Sequence, residues 1–130
     1  MVETQRSPLA GGFLTGKLSA GGDLTGTRFE DGNMMGAVYR KLYDKQVMHS
    51  AIEKLQNVVQ SHGITTVAAS LRWLAFHSML GKDDGIILGA SKVAHIQGNA
   101  KDIEKGPLPE GVVKALEQIW GIVKKTRTKL

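Results

Sequence analysis

From about residue 38 onward, apolar and polar positions recur with helical spacing. Val47, Ile52, Leu55, Val58 and Val59 form one stripe that ends at His62-Gly63, and Gly63 is well placed as a left-handed C-terminal cap. Thr65 or Thr66 can cap a second helix whose Val67, Leu71, Leu74 and Ala75 share a face. A polar break from Gly81 to Gly85 follows. Ile86-Ile87-Leu88 is then a short apolar run bounded by glycines, which predicts a buried parallel strand. A short helix is expected from about Val93 to Ile103. Past the Gly106-Pro107-Leu108-Pro109 turn, a last helix carries Val112, Val113, Leu116, Ile119, Trp120 and Val123 on one side.

The first 36 residues follow a different rule. They hold eight of the sixteen glycines, which excludes a long regular helix and predicts a short strand or turn followed by an extended loop. A loop of that length in a compact domain is usually functional. The order is therefore loop, helix, helix, strand, short helix, helix. One strand and a companion cannot cover the apolar faces of these helices, so part of a larger α/β layer structure is expected to be missing.

Composition narrows the chemistry. With 130 residues, 42% hydrophobic and 22% charged, the chain is an ordinary single domain by composition. No apolar run is long enough to span a bilayer and no secretory signal pattern opens the chain, so no membrane partner is expected. The absence of cysteine removes disulfides, thiolate zinc sites and thiol nucleophiles, and fits a cytoplasmic location. The net charge of +5 falls to +1 without Lys124, Lys125, Arg127 and Lys129, so residues 124–130 read as a solvated basic tail and not as a nucleic-acid surface. His49, His62 and His77 lack metal-ligand spacing and read as surface or helix-end residues, with no metal expected. Asp83-Asp84 reads as a solvated turn, Arg72-Trp73 as helix packing, and Met34-Met35 in the long loop as either a substrate contact or plain loop hydrophobes.

Gly11 to Lys17, GGFLTGK, matches seven positions of a phosphate-binding P-loop. The eighth, which should be Ser or Thr to hold magnesium, is Leu18, and no hydrophobic strand precedes it. A nucleoside triphosphatase is therefore rejected.

The stretch Ser7-Pro8-Leu9-Ala10-Gly11-Gly12-Phe13-Leu14-Thr15-Gly16-Lys17 instead resembles the loop after the seventh strand of aldo-keto reductases, nearest the aflatoxin-aldehyde and succinic-semialdehyde reductase branch. Taken alone, it fits a glycine-rich surface loop equally well. A second segment, Ile86 to Asn99 (IILGASKVAHIQGN), resembles that family's eighth strand and the short helix after it. Ala68 to Leu74, Gly106 to Trp120, Arg28-Phe29 and Tyr39-Arg40 extend the likeness over most of the chain, from Ser7 to about Trp120.

The resemblance implies the C-terminal part of a (β/α)8 TIM barrel, mostly helical over residues 1–130, acting with NADPH on a small-molecule carbonyl. It implies cofactor contacts at Ser7, Leu9, Gly11, Lys17, Ser91, Lys92, His95 and Asn99, and weaker substrate contacts at Arg28, Tyr39 and Arg40. Gly98 stands where an acidic or amide side chain is usual. The family's catalytic Asp, Tyr, Lys and His would all precede residue 1, so no catalytic residue is expected here. Val2-Glu3-Thr4-Gln5-Arg6 lacks the apolar character of a seventh strand, which suggests a truncated gene model, an alternative start or a decayed copy. The alternative is a non-catalytic half-barrel that binds another chain, or itself, through uncovered apolar faces.

Overall fold

The computed structural model describes residues 4–5 and 7–127. Of the segment proposed as the seventh strand, Val2, Glu3 and Arg6 lie outside these residues, as does the end of the basic tail. Thr4–Gln5 nevertheless forms a strand, β1, parallel to β2 at Gly85–Ile86, with Thr4 opposite Gly85 and Gln5 opposite Ile86. Strand pairing is a property of the backbone, so the polar side chains do not prevent it. The strand expected at Ile86-Ile87-Leu88 is shorter and less covered than its apolar run suggested. Ile87 is 55% exposed, because among the described residues no further strand or helix layer lies over it.

Among the described residues a 3-10 helix spans Ala10–Thr15 and six α-helices form, the last four in the expected order and the first two inside the stretch expected as loop. Residues Lys17–Ala20 make a single turn, α1, and Met34–Tyr43 form α2. Gln46–Ser61 (α3), Thr66–Phe76 (α4), Val93–Glu104 (α5) and Glu110–Arg127 (α6) complete the set. Met34-Met35, read above as loop, open α2 instead. The Asn33 carboxamide accepts the N–H groups of Met35 at 3.0 Å and Gly36 at 3.2 Å, which satisfies donors that a helix start leaves unpaired. Thr65 caps α4 through its hydroxyl, which accepts from Ala68 N at 3.0 Å, and Gly63 takes φ +65° after α3, both as the sequence predicts.

The stripe on α3 divides between two cores. Its Leu55 and Val59 join Ala69, Leu108 and Val112 in one cluster, against which Ile64, Trp73, Leu116 and Ile119 pack. Its Ile52 joins Phe13 and Phe29 in a second, with Tyr39, Tyr43 and Met48 around it. Helix α3 is thus the wall shared by the helical layer and the glycine-rich segment. On α4 the buried positions run consecutively from Ala68 to Arg72, whereas Val67, Leu74 and Ala75 are half-buried. The helix is covered on several sides by α5, α3 and the glycine-rich segment, which broadens the single face expected. Trp120 departs from its predicted face and is 50% exposed.

Arg72 is buried and its guanidinium spans the turn after α5. Its Nε donates to Gly106 O at 2.7 Å and its Nη2 to Pro107 O at 2.6 Å. His77 is the helix-end residue expected, at the C-terminal cap of α4, and it also accepts the Leu108 N–H through Nε2 at 2.9 Å, which anchors the same turn. Replacing Arg72 with Met removes two charge-assisted donors and leaves both carbonyls unpaired, an expected loss of about 3 kcal/mol. In a thermal melt the midpoint is expected to fall by on the order of 10 °C. Arg72→Lys should recover less than half of this, because an ammonium cannot reproduce the planar fork.

Candidate cofactor and substrate segments

The two segments singled out in the sequence emerge from neighbouring strands. Because β1 and β2 are parallel, the chain leaves both in the same direction, and the stretches Ser7–Lys17 and Ser91–Asn99 follow the same edge of the pair. On an α/β barrel that edge is where sites are built.

The first segment is wound unusually tightly. Ser7 (φ +56°) and Ala10 (φ +52°) are left-handed without being glycine, and Gly11 (φ +67°) and Gly12 (φ +98°) continue the turn. Each non-glycine residue in that region costs about 1–2 kcal/mol, so the surroundings must impose the shape. They do so by hydrogen bonds and by rings. Ser7 O accepts from Ala10 N, and Leu9 O accepts from Gly12 N and Leu14 N. Phe13 is buried and stacks on Tyr43 with ring centroids 5.5 Å apart; Tyr43 stacks in turn on Tyr39 at 6.2 Å. The Tyr39 ring lies directly over Gly11, where a Cβ would meet three of its carbons at 2.5–2.9 Å. Only glycine satisfies both the backbone angle and that approach.

Tyr39 also carries the second group of expected residues to the first. Arg28 Nη1 donates to the Tyr39 hydroxyl at 3.1 Å, and its guanidinium lies 5.4 Å from the ring centre. Arg40 donates to Phe29 O and pairs with Asp31 and Asp44, each at 3.6 Å. Gly36 permits α2 to approach this loop, since a Cβ there would collide with Arg28 O. Arg28, Tyr39 and Arg40 are thus joined to Gly11 in one aromatic and cationic assembly on the glycine-rich segment. Lys17 is exposed at the start of α1. Its charge adds to a pull on Asp23, whose carboxyl is held below its usual range first by the Thr25 hydroxyl, then by the Thr25 N–H.

The second segment is open to solvent. Ser91, Lys92 and His95 are all exposed around the start of α5, Lys92 being the residue before its first turn. First-turn N–H groups and the helix dipole favour an anion at this place. Asn99, one helical turn beyond His95, is the buried residue of α5.

Sequence reasoning missed three participants. Tyr43 and Phe13 form the stack that holds the loop; the spacing of Tyr39 and Tyr43 on α2 was visible in the sequence but was not connected to Phe13 or the glycines. His49 was read as a surface or helix-end residue. It bridges Asp44, five residues before it, and Ser19, thirty residues before it, and the second contact has no local spacing to reveal it. Among the described residues, no group of three or more His, Cys, Asp or Glu could hold a metal, and no helix is long and apolar enough to cross a membrane.

The profile of the Aldo/keto reductase family matches residues 4–121. An aldo-keto reductase of Pseudocercospora fijiensis is 40% identical over 124 residues, covering 91% of this chain and 41% of that protein. The oxidoreductase sirO of Leptosphaeria maculans is 36% identical, covering 91% of this chain and 36% of that protein. Aflatoxin B1 aldehyde reductase member 2 of Mus musculus is 35% identical over 127 residues, covering 90% and 34% respectively. The chain therefore spans about two-fifths or less of the length of these relatives. By the extent and order of these matches, the chain belongs to the aldo-keto reductase family, whose fold is a (β/α)8 barrel.

Proposed function

We propose that the chain is the NADPH-gripping part of a carbonyl reductase and supplies none of the acid–base chemistry of reduction. The observation that carries this reading is the parallel pairing of β1 with β2, which sends the Ser7–Lys17 and Ser91–Asn99 stretches off one edge of the pair. The residues present suit a dinucleotide phosphate. The glycine-rich segment lets backbone approach a phosphate closely, and Ser91, Lys92 and His95 are exposed at a helix start. In this reading Ser7, Leu9, Gly11 and Lys17 lie along the pyrophosphate, Ser91, Lys92 and His95 hold the adenosine 2′-phosphate, and Asn99 bonds the adenine. Arg28, Tyr39 and Arg40 border the carbonyl substrate. The cofactor, when bound, supplies hydride to the carbonyl carbon; the residues of this chain orient it. A cytoplasmic location belongs to the same reading, supported by the absence of cysteine.

The test is a binding titration with NADPH and NADH, on the chain and on its mixture with a polypeptide supplying the first six strand–helix units of the barrel. NADPH should bind more tightly than NADH. Lys92→Ala should weaken NADPH at least tenfold, the effect of one charge-assisted phosphate bond, and leave NADH unchanged. Equal losses for both cofactors would place Lys92 outside the phosphate site.

A second reading has its own observation. Phe76, Met79, Ile87, Val93 and Ile96, on both sides of β2 in sequence, are 41–98% exposed. Apolar residues so placed suit a surface that another chain covers, either the remainder of the barrel or a second copy. A catalytically silent assembly partner would form such a complex without binding NADPH, so the same titration separates the two readings.

A further inference from the structure

Outside the cofactor segments, three side chains from different elements meet in a line. Ser19 lies on α1, His49 in the first part of α3, and Asp44 at the junction of α2 and α3. Ser19 Oγ stands 2.7 Å from His49 Nδ1, and His49 Nε2 stands 2.8 Å from Asp44 Oδ1. A carboxylate can only accept, so Nε2 carries the imidazole proton and Nδ1 presents its lone pair to the serine hydroxyl. The buried Phe13 ring packs against the imidazole at a tilt of 59°, with centroids 5.7 Å apart. Arg40 holds the other Asp44 oxygen at 3.6 Å, which leaves Oδ1 for the histidine.

These groups border an open, solvent-facing cavity of about 450 Å³. Gln46, Ser50 and Gln56 line it too and bring amide and hydroxyl groups to its wall. Glu53 on the same wall disfavours anionic ligands.

We propose that Ser19 is a nucleophile, with His49 as its base and Asp44 as the group that orients the base, and that this cavity hydrolyses small neutral esters. A nucleophile, a base within hydrogen-bond reach and a third group fixing the base form the signature of acyl transfer on any fold. His49 Nδ1 takes the Ser19 proton as Oγ bonds to the acyl carbon and the carbonyl pair moves onto oxygen. Collapse breaks the bond to the leaving alcohol, which takes the proton from His49. Water, deprotonated by His49, then attacks the acyl carbon; Ser19 leaves, regains its proton, and a carboxylic acid is released past Glu53. One ester and one water give one alcohol and one acid.

The 130-residue chain is treated with a fluorophosphonate and, separately, with p-nitrophenyl acetate. The adduct should map to Ser19, and ester turnover should fall to background in Ser19→Ala. His49→Gln should slow turnover on the order of 100-fold. Asp44→Asn, which keeps the shape but favours the wrong imidazole tautomer, should slow it at least tenfold while circular dichroism stays unchanged. Turnover retained by Ser19→Ala would mean that His49 acts as a bare imidazole and would overturn the proposal. So would labelling confined to other residues, or no labelling at all.

Discussion

Replacing Gly11 with Ala is expected to destabilise the glycine-rich segment by on the order of 3 kcal/mol and to weaken cofactor binding at least tenfold. Two separable costs add. An L-residue at φ +67° costs about 1–2 kcal/mol by itself. The new Cβ would also stand 2.5–2.9 Å from three Tyr39 carbons, so the ring must leave its place. On leaving, it gives up the stack on Tyr43 and the hydroxyl bond from Arg28, worth roughly another 1–2 kcal/mol together. A double-mutant cycle distinguishes this account from a generic loss of glycine. In a Tyr39→Ala background the clash is absent, and Gly11→Ala should cost only the backbone share. The readout is the denaturant midpoint of each of the four proteins. Strictly additive losses would show that Tyr39 does not hold the loop.

How much of this was legible in advance depends on the range of each contact. The α3 stripe of Val47, Ile52, Leu55, Val58 and Val59 repeats within one helix, so periodicity alone located it, and Gly63 and Thr65 marked its end and the next start. The family was legible as well, from ordered motifs that the profile match over residues 4–121 supports. Two apolar positions went astray for one reason. Ile87 and Trp120 were assigned to buried faces from their own segments, but burial also requires a neighbour, and among the described residues none covers them. Asn33 was overlooked as a cap because the glycines around it argued for loop throughout. The approach of Tyr39 to Gly11, the Arg72 bridge to Gly106 and Pro107, and the line from Ser19 through His49 to Asp44 were not legible at all. The first two, and the step from Ser19 to His49, join residues about thirty apart, across which no hydrophobic period runs, whereas Asp44 and His49 are five apart.

The chain on its own is expected to leave carbonyl reduction near the uncatalysed rate. Hydride transfer to an aldehyde needs a proton donor at the developing alkoxide and groups that tune it. The two tyrosines of the sequence are both committed elsewhere. Tyr39 has its hydroxyl bonded to Arg28 and its ring over Gly11, and the Tyr43 ring lies stacked between Phe13 and Tyr39. Neither lies at the end of a strand, where barrel chemistry is placed. The most direct measurement is NADPH oxidation with a panel of aldehydes, on the chain alone and after adding a polypeptide that supplies the first six strand–helix units. The predicted result is no turnover above background for the chain alone, and reduction that appears on mixing and falls with Lys92→Ala at subsaturating NADPH. Reduction by the lone chain, abolished by Tyr39→Phe or Tyr43→Phe, would contradict it.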